Sequence, residues 1–197
     1  MILSHLKKRY GDEIVLDDVT LTLPEGRLSA LVGPSGSGKT TLLRILAGLE
    51  KPEAGDLSPL EGKRISMVFQ ENRLCPNLSA WANVKLVTDK YTARHLLEEL
   101  GLSDSLSKPC REFSGGMQRR VALARALAAP YDLLLLDEPF TGLDPDTKKR
   151  VIEVTRHSIR GKTTLIVTHD PIEAELMGAT SSITLPSRPS AGTPSPV

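Results

Sequence analysis

Eight consecutive residues, Gly33, Pro34, Ser35, Gly36, Ser37, Gly38, Lys39 and Thr40, fit the spacing G-x-x-x-x-G-K-[ST]. They fall between an apolar run and a helical pattern. Glycines in such a loop let the backbone turn its N–H groups toward a phosphate, and the helix that follows adds the positive end of its dipole. Lys39 has the length to reach the β- and γ-phosphates of a nucleotide, and the Thr40 hydroxyl can ligate Mg²⁺. Thr41 extends the cradle into the helix. At average composition the four fixed positions coincide about once in 30,000 windows, so a chance glycine loop is a poor explanation. Gly161-Lys162-Thr163-Thr164 repeats part of this text, but Arg156 stands where the first glycine would be, and the segment leads into a strand pattern. It reads as a turn.

A second constellation closes an apolar run. Leu133 to Leu136 is followed by Asp137, Glu138 and Pro139. A carboxylate inside a buried strand would be very costly. At the carboxyl edge of an α/β sheet, where ligands bind, it faces a site instead. There Asp137 can orient Mg²⁺ and its waters, and Glu138 can polarise a water attacking the γ-phosphate. Alone, two acids at a strand end would equally suit a solvated turn. The phosphate cradle upstream decides between the two readings.

Ser114, Gly115 and Gly116 open a helical pattern and supply a hydroxyl, glycine N–H groups and a helix N-terminus, a second place for an anion. One triphosphate needs one cradle. A second cradle on the same chain suggests that it serves a nucleotide held by another copy.

The elements that must carry these residues follow from pattern and punctuation. Ile2 to Leu6, Ile14 to Leu23, Leu28 to Val32, Ile65 to Phe69, Leu133 to Leu136, Thr163 to Thr168 and a short run near Ile183 are expected strands. Val19, Leu21 and Leu23 are expected on an inward face. Helices are expected at about 38–47, 81–87, 92–100, 116–128, 145–159 and 171–177, with Asp144 and Pro145 starting one of them well. The stretch 49–63 reads as loop-rich, and 186–197, rich in Ser and Pro, as a disordered tail. Strands alternating with helices imply an α/β fold with a mainly parallel sheet. The helical block from about 79 to 128 interrupts that alternation and reads as an inserted subdomain.

Composition narrows the partners. A net charge of +1 and 4% aromatic residues give neither the basic surface nor the stacking platforms that nucleic acid needs. Cys75 and Cys110 have no metal-ligand spacing and are expected to be unpaired thiols. No apolar run is long enough to span a bilayer, and Lys7, Lys8 and Arg9 precede no apolar stretch, so no signal peptide is expected.

In order and spacing these motifs resemble those of ATP-binding-cassette ATPases, over about residues 1–185. The family signature Leu-Ser-Gly-Gly-Gln is here Phe113-Ser-Gly-Gly-Met117, changed at its first and last positions. The resemblance implies a P-loop NTPase (RecA-like) core, an antiparallel β subdomain and a helical subdomain at about 71–128. It implies ATP and Mg²⁺ as cofactors. Tyr10 matches the aromatic that stacks on adenine, and Gln70 the glutamine that reaches Mg²⁺ beside the contact with the membrane subunit. His169 matches the histidine at the γ-phosphate, and Thr141-Gly142-Leu143-Asp144 the loop crossing a dimer interface. The catalytic set is then Glu138, His169, Lys39 and Gln70, and the metal set Thr40, Gln70 and Asp137. Implied partners are a second ATPase subunit (a homodimer), a membrane-spanning permease and a solute-binding protein, with the chain on the cytoplasmic face of the membrane.

Gln70 to Leu78, together with Ser-Gly-Gly-Met, is similar to importer ATPases for nitrate, sulfonate, taurine and thiamine precursors. An exporter or lipoprotein-release ATPase of the same fold is the alternative. A soluble cassette protein acting on ribosomes or DNA would carry two cassettes or a long coiled-coil insertion. A P-loop kinase would lack the second cradle.

Overall fold

The computed structural model describes residues 1–185; the stretch 186–197, where the disordered tail was expected, lies outside the described residues. Two sheets form. The smaller is antiparallel, with β1 (Ile2–Tyr10) between β2 (Glu13–Thr22) and β4 (Ala54–Asp56). The larger is parallel throughout and has five strands: β5 (Ile65–Val68), β6 (Leu133–Asp137), β7 (Thr164–Val167), β3 (Leu28–Val32) and β8 (Ser181–Thr184), in that spatial order.

Each face of the parallel sheet has its own apolar cluster. Leu31, Leu133, Leu135, Leu165 and Val167 pack with α1 (Lys39–Leu46) and the inner face of the antiparallel sheet. Ala30, Leu134, Leu136 and Ile166 pack with α2 (Ala80–Lys85), α3 (Lys90–Glu99), α4 (Gly115–Ala128) and α5 (Pro145–Ser158). This two-sided burial is why β6 reads as an unbroken leucine run rather than an alternation. The helices start on side-chain caps: Ser79, Asp89, Ser114 and Asp144 each accept from a backbone N–H in the first turn that follows. α6 (Pro171–Leu176) starts on Asp170 in the same way. The repeated Gly-Lys-Thr text forms a turn, with Gly161 at φ +69°, leading into β7.

Two features depart from expectation. The stretch 49–63 is not loop throughout: it holds β4 and a single 3-10 turn at Ser58–Leu60. β4 is three exposed residues with no apolar alternation, so no pattern announces it. Gly55 permits it, because a Cβ there would lie 2.7 Å from the Leu6 Cα. In β2 and just past it, Leu21 and Leu23 are buried and Val19 partly so, but Val15 and Leu16 are both buried although adjacent. Register shifts against β1 and a left-handed Asp18, at φ +54°, break the period of two there.

All five strands of the parallel sheet point the same way, so one edge collects their carboxyl ends. Gly33 directly follows β3 and Glu138 directly follows β6, while Gln70 and His169 lie two residues past the ends of β5 and β7. Among the described residues no helix is long and apolar enough to cross a membrane. Cys75 is exposed, Cys110 is buried, and both are free.

Candidate active site

The loop between β3 and α1 turns through left-handed backbone at Gly36, φ +79°, and Gly38, φ +93°. Lys39 lies on the first turn of α1, and its Nζ donates to the carbonyls of Gly33 and Pro34, each at 2.8 Å. The ammonium is thereby held over the loop. Gly38 leaves no room for a side chain: a Cβ there would sit 2.9 Å from the Val15 carbonyl oxygen and 2.9 Å from Leu16 Cδ2. Gly38→Ala is expected to destabilise the fold by about 2 kcal/mol or more, through strain at positive φ and overpacking. Urea unfolding at unchanged m-value checks this.

A cavity of about 250 Å³ joins this loop to the ends of β5 and β6, lined by Ser35, Gly36, Lys39, Thr40, Thr41, Gln70, Asp137 and Glu138. Residues distant in sequence thus share one space. Asp137 is 2% exposed, and its Oδ2 has no hydrogen-bond partner. Burial and the neighbouring Glu138 charge push its carboxyl above the usual carboxylate range, while Thr40 and Arg119 pull it back. A buried carboxylate oxygen left without a donor, beside a threonine hydroxyl, suits a hard cation. No group of three or more His, Cys, Asp or Glu among the described residues could hold a metal by itself. Mg²⁺ fits that arrangement, because it takes few protein ligands and fills its shell with phosphate oxygens and water.

Glu138 adopts φ +50°, a conformation costing a non-glycine residue about 1–2 kcal/mol. The turn aims its carboxylate off the sheet edge. Its Oε2 lies 2.6 Å from His169 Nδ1 and accepts from the Thr141 hydroxyl at 3.3 Å. His169 is exposed and rests on a supported loop. The preceding Thr168 donates to Glu173 at 2.5 Å and accepts from the Asp170 N–H at 3.1 Å, and Lys148 of α5 pairs with the buried Glu173 at 2.7 Å.

Two supports were not anticipated. One is this Glu173–Lys148 pair. The other is Arg119, 3% exposed, which donates to the carbonyls of Phe69, Gln70, Asp137 and Glu138. The signal for Arg119 was its spacing, four before Leu123 and eight before Leu127, both buried on α4. A charge on an apolar stripe is the informative kind of buried polar group.

Ser114, Gly115 and Gly116 open α4, where Ser114 is exposed and its Oγ accepts from the Met117 N–H at 3.3 Å. They border a larger groove of about 700 Å³, also lined by Thr141, Gly142, Asp144 and His169. Lys39 borders the smaller cavity and Ser114 the larger; Gln70 and Glu138 border both. Phe113, in the altered first signature position, is buried and anchors the turn into α4. Tyr10 borders neither space. It ends β1 as a 45% exposed residue, and its hydroxyl donates to the carboxylate of Glu50, which also meets Arg44 at 3.4 Å. Burial and Glu50 raise the Tyr10 pKa.

The glycine-rich loop after β3, the carboxylate pair at the end of β6 and the helix start at Ser114 line two joined spaces, an arrangement that suits a nucleotide hydrolase. The ABC transporter family description matches residues 16–141. The chain is 45% identical over 175 residues to an aliphatic sulfonates import ATP-binding protein of Paraburkholderia xenovorans, covering 86% of this chain and 70% of that one. It is 38% identical over 194 residues to a sulfate/thiosulfate import ATP-binding protein of Mycobacterium tuberculosis, covering 88% of this chain but only 55% of that one. Among solved structures, a dimeric ATP-binding cassette in a post-hydrolysis state with ADP and Pi matches with a TM-score of 0.81 at 31% identity, over 94% of both chains. The chain belongs to the ABC transporter family and is an ATPase of it.

Proposed function

We propose that this chain is the ATP-hydrolysing subunit of a membrane importer for a small solute, and that it works as a head-to-tail pair. The observation that carries the pairing is that Lys39 and Ser114 border separate cavities of one chain, which meet only at Gln70 and Glu138. ATP lies on Gly33 to Thr41 of one subunit, with Tyr10 against adenine. Ser114 of the partner subunit, with the two glycines after it, closes over the γ-phosphate. The dimeric state of the solved cassette supports this arrangement.

Thr40, Gln70 and Asp137 would hold Mg²⁺, which neutralises charge building on the β- and γ-phosphate oxygens. Lys39 adds a cation to the same oxygens. Glu138 takes the proton of the attacking water as its oxygen bonds to the γ-phosphorus and the bond to the β–γ bridging oxygen breaks. His169, held 2.6 Å from Glu138, orients that carboxylate and contacts the γ-phosphate. Closure excludes other water, which strengthens each of these interactions.

Residues 71–128 form the subdomain that moves on closure and presses on a membrane-spanning permease at the cytoplasmic face. The roles of the relatives, aliphatic sulfonates and sulfate/thiosulfate import, support a sulfur oxyanion or a similar small anion as the solute. A solute-binding protein completes such a system.

Two measurements test this reading. Tyr10→Ala should raise the KM for ATP roughly tenfold with little change in kcat, and Tyr10→Phe should restore it. Reconstitution with the permease should give ATPase activity stimulated by a solute-loaded binding protein. Stimulation by a solute added to the ATPase side would instead indicate export.

A further inference from the structure

The parallel ladder between β5 and β6 pairs Val68 with Leu136 and stops. The next residues on the two strands are Phe69 and Gln70, and Asp137 and Glu138. One side chain takes over where the ladder ends. One terminal nitrogen of the Arg119 guanidinium donates to the carbonyls of Phe69 and Gln70, the latter at 3.2 Å, and reaches Asn72 Oδ1 at 3.4 Å. The other donates to the carbonyls of Asp137, at 2.8 Å, and Glu138. The guanidinium is planar and rigid, so its two ends hold the two strand ends at a set spacing. Arg119 also sits on the helix that Ser114 opens, five residues along.

We infer that Arg119 is a positioning residue, which fixes the separation of Gln70 from Glu138 and makes that separation follow the position of α4. The inference rests on the nucleotide-sandwich reading. In that arrangement Ser114 of α4 meets the partner's triphosphate, while Gln70 and Glu138 serve the triphosphate of their own subunit. Arg119 therefore links the two half-sites of one chain through a single side chain. Arg119 is 3% exposed, and apart from the one to Asn72 Oδ1 its hydrogen bonds go to main-chain oxygens at the ends of β5 and β6. Arg120, the next residue along α4, donates instead to the carbonyls of Leu100 and Gly101. Arg119 bonds to four carbonyls at the one edge where the reaction occurs.

R119M keeps length and removes every donor. In the full chain it should lower kcat on the order of 10- to 100-fold, with the KM for ATP within about threefold of the original. R119K should recover much of that loss, because an ammonium can serve some of the four carbonyls. Backbone amide exchange should quicken at 70–73 and at 138–141 together, with α1 unchanged. The E138Q single variant and the E138Q/R119M double variant are then compared for ATP-induced pairing. Failure of E138Q itself to pair counts against the sandwich; pairing of both leaves the sandwich standing and isolates the effect on kcat to Arg119. Folded R119M with kcat within about twofold of the original, or with kcat and KM altered in equal measure, overturns the inference. If R119M does not fold, R119K carries the test: at unchanged melting temperature a kcat lowered about threefold or more supports it, and an unchanged kcat overturns it.

Discussion

Glu138→Gln is expected to lower ATP turnover by about a hundred- to ten-thousand-fold while leaving ATP binding intact. The substitution is nearly isosteric. The amide can still lie beside His169 and the Thr141 hydroxyl, the two groups now on Oε2, so the left-handed turn at position 138 keeps its support. What disappears is the proposed acceptor for the water proton. With hydrolysis blocked and both half-sites intact, pairs bridged by ATP should accumulate. Size-exclusion chromatography with ATP and Mg²⁺, run beside a phosphate-release assay, reads both quantities. Ordinary turnover in Glu138→Gln would remove Glu138 as the base and point to another group at the same edge.

Ser114→Arg should cut turnover by a comparable factor through the opposite half-site. An arginine at the start of α4 adds bulk where Ser114 borders the larger groove and removes the hydroxyl that caps Met117. Loss of the cap alone is worth about 1 kcal/mol, and Ser114→Ala measures it. The further loss in Ser114→Arg reports blocked closure. Nucleotide binding to the isolated chain should stay within about twofold, because Lys39 and its loop border a different cavity. If Ser114→Arg loses nucleotide binding as well, the two cradles are not independent and pairing is not what the second one serves.

The legible parts of this molecule were those where residue type and spacing carry a single physical meaning. Gly38, Lys39 and Thr40 had to start a helix after a strand. Asp137 and Glu138 were expected to end a strand at a ligand-facing edge, and they do: Asp137 is the last residue of β6, buried there against the smaller cavity, and Glu138 is the first residue beyond it. The leucine run of β6 and the helix starts at Asp144 and Ser114 were visible for the same reason. What escaped depends on three-dimensional neighbours. β4 is too short and too polar to show a period, and its existence hangs on a close approach at Gly55. The irregularity of β2 arises from pairing with β1, which a pattern along one strand does not contain. Arg119 and Arg120 are adjacent and alike in type, yet Arg119 is buried against two strand ends while Arg120 reaches the carbonyls of Leu100 and Gly101. Tyr10 was matched by resemblance; its bond to Glu50 came only with the fold.

β6 is enclosed on all sides, by β5 and β7 along its edges and by a separate apolar cluster on each face. An element so enclosed opens only when the whole domain opens, so its amides should be among the slowest to exchange. The proposed general base is therefore mounted on the stationary jaw of the machine. Pieces that approach during a reaction cycle must travel toward Glu138 rather than carry it to them, and the same immobility lets one contorted residue persist at the tip of an otherwise regular strand.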